Sequence, residues 1–114
     1  MRWLLLFLCI NLVSMAQSPT IQGHRGCRGL YPENSLPAFQ HALEMGVTVL
    51  EMDVCLSKDG QVYVSHEPYM NPLYASFSDG RPVTEATINL YQKTYSEIKT
   101  FDVGSRGNRL FPEQ

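Results

Sequence analysis

His24-Arg25-Gly26 closes one apolar run of this chain, and Glu51-Met52-Asp53 sits inside another, with His66 following. Two imidazoles, one guanidinium and two carboxylates supply acid/base groups, a fixed cation and a pair of hard-metal ligands. That is the opening set for metal-assisted hydrolysis of a phosphodiester. Singly, each residue has an ordinary reading: a strand-end histidine bonded to backbone, a solvated arginine, a polar strand end. The chemistry depends on which elements bring them together.

Residues 20–23 read as a short strand that ends at His24 and passes into the glycine-rich loop Gly26-Cys27-Arg28-Gly29. Beside a loop whose backbone can approach a ligand, Arg25 reads as a phosphate clamp. A helix follows, with Asn34-Ser35 offering cap oxygens, Pro37 in the first turn, and Leu36, Phe39 and Leu43 on one face up to Gly46. Glu33 and Asn34 either brace the site or serve as turn and cap residues. Residues 47–56 form a near-continuous apolar run, which predicts a strand buried on both faces, as in a parallel sheet covered by helices. Strand, helix, strand opens an α/β fold, and a right-handed crossover lays the two strands in one sheet. Active groups then collect at strand carboxyl ends, the face on which α/β barrels place their chemistry.

Glu51 and Asp53 interrupt the buried run, and a period of two puts both carboxylates on one face. Two such groups repel each other and lose solvation unless they share a cation. Oxygen donors favour Mg²⁺ or Ca²⁺, and a salt bridge to a nearby arginine is the competing reading. Beyond them, Asp59-Gly60 between two apolar segments is a hairpin signal. With Lys58 opposite Gln61, Asp53 faces His66, to within one residue of register.

Composition fits a globular domain: 114 residues, 44% hydrophobic, 18% charged and 11% aromatic. A net charge of -2 gives no basic field for nucleic acid, which is discounted as a partner. Arg2, an apolar run over residues 3–13 and Ser14-Met15-Ala16 read as a signal peptide over 1–16, cleaved near Ala16. The run falls well short of the ~20 residues of a spanning helix, so stable membrane insertion is not expected. Export to a periplasmic or secreted location follows, with Cys27 and Cys55 left free or paired in an oxidising compartment.

In order and spacing, residues 21–67 resemble the opening of the glycerophosphodiester phosphodiesterase family. His24-Arg25-Gly26, Glu33-Asn34-Ser35, Ala38-Phe39 with Ala42, Gly46, Leu50-Glu51-Met52-Asp53-Val54, Lys58-Asp59-Gly60 and Val64-Ser65-His66 carry the resemblance. Weaker similarity runs from Phe101-Asp102-Val103-Gly104 to Phe111-Pro112-Glu113-Gln114. The resemblance implies a TIM (β/α)8-barrel of metal-dependent hydrolases that release an alcohol and glycerol phosphate from small glycerophosphodiesters. It implies His24 and His66 as general acid and base in either order, Glu51 and Asp53 as metal ligands, and Arg25 on phosphate. Glu67 stands where the family usually has Asp. A complete barrel takes roughly 250 residues, so residues 17–114 are expected to be its first part.

Residues 68–89, rich in Pro, Tyr, Ser and Asp, read as an insertion-like loop over the site mouth. Tyr69, Tyr74 and Phe77 there either meet a head group or pack locally. Thr94-Tyr95-Ser96-Glu97 matches a capping box opening a short helix through about Phe101. Two other functions compete with the phosphodiesterase reading: a related phospholipase acting on lysolipid or sphingolipid head groups, and a non-catalytic exported module that binds a metal.

Overall fold

Small residues let the first loop and the first helix approach closely, and that approach organises the amino-terminal half. The structure is a computed structural model that describes residues 19–114. The signal peptide read over residues 1–16 lies outside the described residues. Strand β1 (Gln22–Gly23) runs parallel to β2 (Val49–Leu50), pairing Gln22 with Val49 and Gly23 with Leu50. Helix α1 (Leu36–Glu44) lies between them in sequence and completes the expected β-α-β order. Ser35 caps the helix by accepting from the Ala38 N–H, Pro37 sits in its first turn, and Gly46 leaves it at φ +86°.

The buried face of α1 differs from the expected one. Ala38 and Ala42 are 0% and 1% exposed, whereas Leu36 and Leu43 are 83% and 56% exposed. A Cβ on Gly26 would lie 2.7 Å from the Ala38 carbonyl carbon, and one on Gly23 would lie 3.2 Å from the Ala42 Cβ. Contact that close admits only small side chains, so the leucines are turned outward.

The strand expected over residues 47–56 is two strands in two sheets. After β2 the chain changes partner: the Glu51 N–H still donates to the Gly23 carbonyl of the first sheet (3.0 Å), but the Asp53 carbonyl accepts from Ser65 (3.0 Å) in the second. Val49, Met52, Val54 and Leu56 are all more than a third exposed, so the run is not buried on both faces.

Strands β3 (Val54–Leu56) and β4 (Val62–Val64) form the predicted antiparallel hairpin, displaced by one residue. Cys55 pairs with Tyr63, and the Ser57 N–H donates to the Gln61 carbonyl (2.9 Å), leaving a three-residue loop, Lys58-Asp59-Gly60. Gly60 at φ +76° supplies the left-handed residue such loops require, and the Ser57 hydroxyl braces the turn by accepting from Gln61 N–H. Asp53 therefore stands across from Ser65 rather than His66.

The apolar core sits in the second half. Tyr63, Met70, Ala75, Val83 and Leu90 are buried, with Tyr74, Phe77, Ile88, Ile98 and Phe101 packed against them. Residues 68–89 thus supply Met70, Ala75 and Val83 to the core, although they contribute only isolated bridges such as Tyr69 with Asn89 and Ser76 with Asp102. A 3₁₀ turn (Leu90–Gln92) leads to α2 (Tyr95–Ile98), which opens on the expected Thr94/Glu97 capping box and ends short of Phe101. Cys27 and Cys55 are unpaired. Among the described residues no helix is long and apolar enough to cross a membrane.

Candidate active site

Leaving β1, the chain turns through Arg25 at φ +51°, and Gly26 continues the turn at φ +85°. This left-handed turn points the Arg25 N–H at Glu51 Oε2 (2.8 Å) and folds the side chain back between two further carboxylates. Its Nη1 lies 2.8 Å from Glu33 Oε1 and its Nε 3.3 Å from Asp53 Oδ2. Arg28 Nε approaches the second oxygen of Glu33 at 3.4 Å. The Arg25 and Glu33 side chains are only 10% and 5% exposed. Asn34, also left-handed at φ +56°, donates its N–H to the Arg25 carbonyl (2.9 Å) and its amide to Asp53 Oδ2 (3.1 Å). Non-glycine residues in this conformation are uncommon, and here they occur as a hydrogen-bonded pair inside the cluster.

The structure therefore brings Arg25, Glu33, Asn34, Glu51 and Asp53 into one bonded cluster, with His24 at its edge. Asp53 meets a cation from the protein itself, the Arg25 guanidinium, while Glu51 meets the Arg25 backbone N–H. Each carboxylate still has one oxygen, Glu51 Oε1 and Asp53 Oδ1, that accepts no hydrogen bond from the described protein groups. The side chains are 37% and 28% exposed. Two open oxygen donors from partly buried carboxylates suit a hard divalent cation. Among the described residues no group of three or more His, Cys, Asp or Glu gathers as a metal site.

His24 and His66 are placed differently. His24 stands at the end of β1 with Nε2 4.0 Å from Glu51 Oε2 and its side chain 59% exposed. His66 follows β4 and is tied to its own neighbour, Nδ1 to Glu67 Oε1 at 2.7 Å. The other oxygen of Glu67 accepts from the Tyr74 hydroxyl (3.3 Å). Burial pushes the Glu67 carboxyl up, but hydrogen bonds from His66 and Asn71, the charge of His66 and the Tyr74 bond together outweigh it and hold Glu67 below the usual range. Burial, the nearby charges of Glu67 and Glu33 and the Glu67 bond raise the Tyr74 phenol, against a lowering effect of Arg25. Tyr74 thus bonds the carboxylate of the Glu67–His66 pair and lines a small cavity with Glu33 of the Arg25 cluster. Sequence reasoning gave Tyr74 no part in the acid/base geometry, because nothing in an irregular, proline-rich segment marks which tyrosine turns inward. Nor does the sequence distinguish Arg28 from the other residues of its loop.

Comparisons with known proteins agree on one family. The model of the Glycerophosphoryl diester phosphodiesterase family matches residues 24–114. A glycerophosphodiester phosphodiesterase of Bacillus altitudinis is 49% identical over 51 residues, which are 45% of this chain and 21% of that protein. Among solved structures, a putative glycerophosphoryl diester phosphodiesterase from Silicibacter pomeroyi superposes with a TM-score of 0.78 at 34% identity, over 90% of this chain and 37% of the other. An Oleispira antarctica phosphodiesterase, solved in complex with the product sn-glycerol-3-phosphate, gives a TM-score of 0.62 at 29% identity, over 83% of this chain and 34% of the other. The chain spans about a fifth of the length of the Bacillus altitudinis relative.

Proposed function

The chain belongs to the glycerophosphoryl diester phosphodiesterase family, and on that premise we propose that it carries the opening part of a site for metal-dependent hydrolysis of glycerophosphodiesters. The products are an alcohol and sn-glycerol 3-phosphate, the molecule bound in the Oleispira antarctica structure. The observation that carries the reading is the convergence of Glu51 and Asp53 on Arg25 with one oxygen of each left open.

Glu51 and Asp53 would hold a divalent cation, Mg²⁺ or Ca²⁺, which when bound offsets the negative charge that develops on a phosphoryl oxygen. Glu33 and Arg28 hold Arg25 in place, and Arg25 in turn fixes the orientation of Asp53. With Nη1 bonded to Glu33 and Nε within ion-pair distance of Asp53, Arg25 keeps Nη2 for a substrate phosphate oxygen. Asn34 holds Asp53 through two hydrogen bonds, its amide donating to Oδ2 and its side-chain oxygen accepting from the Asp53 N–H. His24 and His66 exchange the protons: one draws a proton from the attacking hydroxyl, the other returns one to the departing alkoxide.

We place these residues in the first part of a (β/α)8 barrel. Support comes from the β1-α1-β2 unit and from the aliphatic face of Val54, Leu56, Val62 and Val64, which is 41–66% exposed and of the kind further barrel elements would cover. The leader composition supports export to a periplasmic or secreted site.

Turnover of glycerophosphocholine by the full-length protein tests the assignment. Chelator should abolish it and Mg²⁺ or Ca²⁺ restore it, and His24→Ala should lower kcat by at least about a hundredfold. Activity that survives chelation, or a fully active His24→Ala variant, overturns it.

A further inference from the structure

We propose that Glu67 is a positioning residue that fixes the ring of His66 with Nδ1 as donor and leaves Nε2 as the nitrogen that exchanges protons. Tyr74 fixes Glu67 in turn. The catalytic side of this inference rests on the phosphodiesterase reading; the structural side does not.

The geometry is specific. An imidazole has two nitrogens, and the hydrogen bond made by one decides which of them carries the proton in the neutral ring. His66 Nδ1 lies 2.7 Å from Glu67 Oε1, a short contact of the charge-assisted kind. No described protein group bonds His66 Nε2. A carboxylate next in sequence to a histidine is free to swing away, so adjacency alone positions nothing. Here the carboxylate is held on its other side: Oε2 accepts from the Tyr74 hydroxyl at 3.3 Å. The backbone is anchored as well, because the Glu67 carbonyl accepts from the Ser65 hydroxyl (2.9 Å) and from the Cys55 thiol (3.8 Å). The Glu67 side chain is 16% exposed, while that of His66 is 41% exposed. A withdrawn, charged carboxylate, held on both oxygens behind a half-open imidazole, is the arrangement that orients a proton-transfer histidine.

The extra methylene of Glu67 has a role in this scheme. It lets the carboxylate reach both the His66 ring, beside it in sequence, and Tyr74, seven residues on. An aspartate at this position would be one methylene short of spanning both.

Nitrogen-resolved NMR of the His66 ring in the full-length protein reads the tautomer directly, with the signal assigned by its loss in His66→Gln. In the unaltered protein the neutral ring should carry its proton on Nδ1. Glu67→Gln keeps an oxygen acceptor but removes the charge, so the tautomer should persist while kcat falls roughly tenfold and KM changes less than about twofold. Glu67→Ala removes the acceptor, and the ring should revert to the Nε2–H form, with kcat lower by up to about a hundredfold. Should Glu67→Ala not fold, Tyr74→Phe gives the second reading, a mixed tautomer population with a smaller drop in kcat. An Nε2–H ring in the unaltered protein, an Nδ1–H ring retained in Glu67→Ala or undisturbed in Tyr74→Phe, or a change confined to KM overturns the proposal. If the unaltered protein turns nothing over, the tautomer data alone decide the positioning role, and the missing turnover counts against the phosphodiesterase reading instead.

Discussion

Around Arg25, burial is polar: a guanidinium, three carboxylates and two left-handed residues interlock beside a helix face made only of Ala38 and Ala42. Around Leu90, burial is apolar: Met70, Ala75, Val83 and the ring of Tyr63 close on one another with hardly a polar atom among them. The first region gathers groups across long stretches of chain, since the Arg25 N–H reaches a carboxylate 26 residues away. The second packs irregular segments that have almost no ladder of their own. The difference shows where function and stability are separated. The reactive half has little hydrophobic burial to hold it and depends on each charge finding its partner, whereas the supporting half depends on volume.

Arg25→Ala should produce the largest loss, because it leaves the buried Glu33 carboxylate facing only Arg28. Removing one member of a buried pair costs about 3–5 kcal/mol. Chemical denaturation measures it, and a loss below about 1 kcal/mol would mean that water screens the cluster as it does a surface pair. Leu90→Ala is expected to cost less, about 2–3 kcal/mol near the lower end for core truncations, because its core is small. That variant should leave the Arg25 contacts intact, visible as an unchanged NMR shift of the Arg25 amide. If both variants disturb the same contacts, the two regions are one cooperative unit.

Tyr63→Phe is the smallest change. The Tyr63 hydroxyl is buried without a hydrogen-bond partner, so removing it should alter stability by less than about 1 kcal/mol, on the side of a gain. The sign of its pH effect follows from burial, which with the nearby Cys55 and Tyr91 pushes this phenol up to about 12 from an ordinary value of 10. A pKa raised in the folded state favours folding with the proton on. That contribution is complete below pH 10 and is lost as pH rises from 10 to about 12. The alkaline fall in thermal stability should therefore be shallower in Tyr63→Phe, and an unchanged slope would assign it to other tyrosines.

The local signals in the sequence led to the right places where one short-range interaction decided the outcome. Ser35 capped the helix, Thr94 and Glu97 formed their box, and Asp59-Gly60 turned the hairpin, each within a few residues. Failures came where a distant group decided. The leucine face of α1 lost to the alanine face because Gly26 sits against Ala38, and that contact depends on where the loop lands. The apolar run through Val54 looked like one strand because periodicity carries no sign of a change of partner between Glu51 and Asp53. In the site, residue types and spacing located His24, Glu51 and Asp53 together. They did not reveal that Arg25 would be buried among the carboxylates, or that Glu67 and Tyr74 would stand behind His66.

The three-residue hairpin loop has a consequence for how the core is filled. Side chains alternate across a sheet, so the loop fixes a parity: with Cys55 opposite Tyr63, these two face the core, while Val54, Leu56, Val62 and Val64 face outward. A slip of this pairing by a single residue would exchange the two faces, while a slip of two would restore them, so the turn at Lys58-Asp59-Gly60 guards which side chains reach the core.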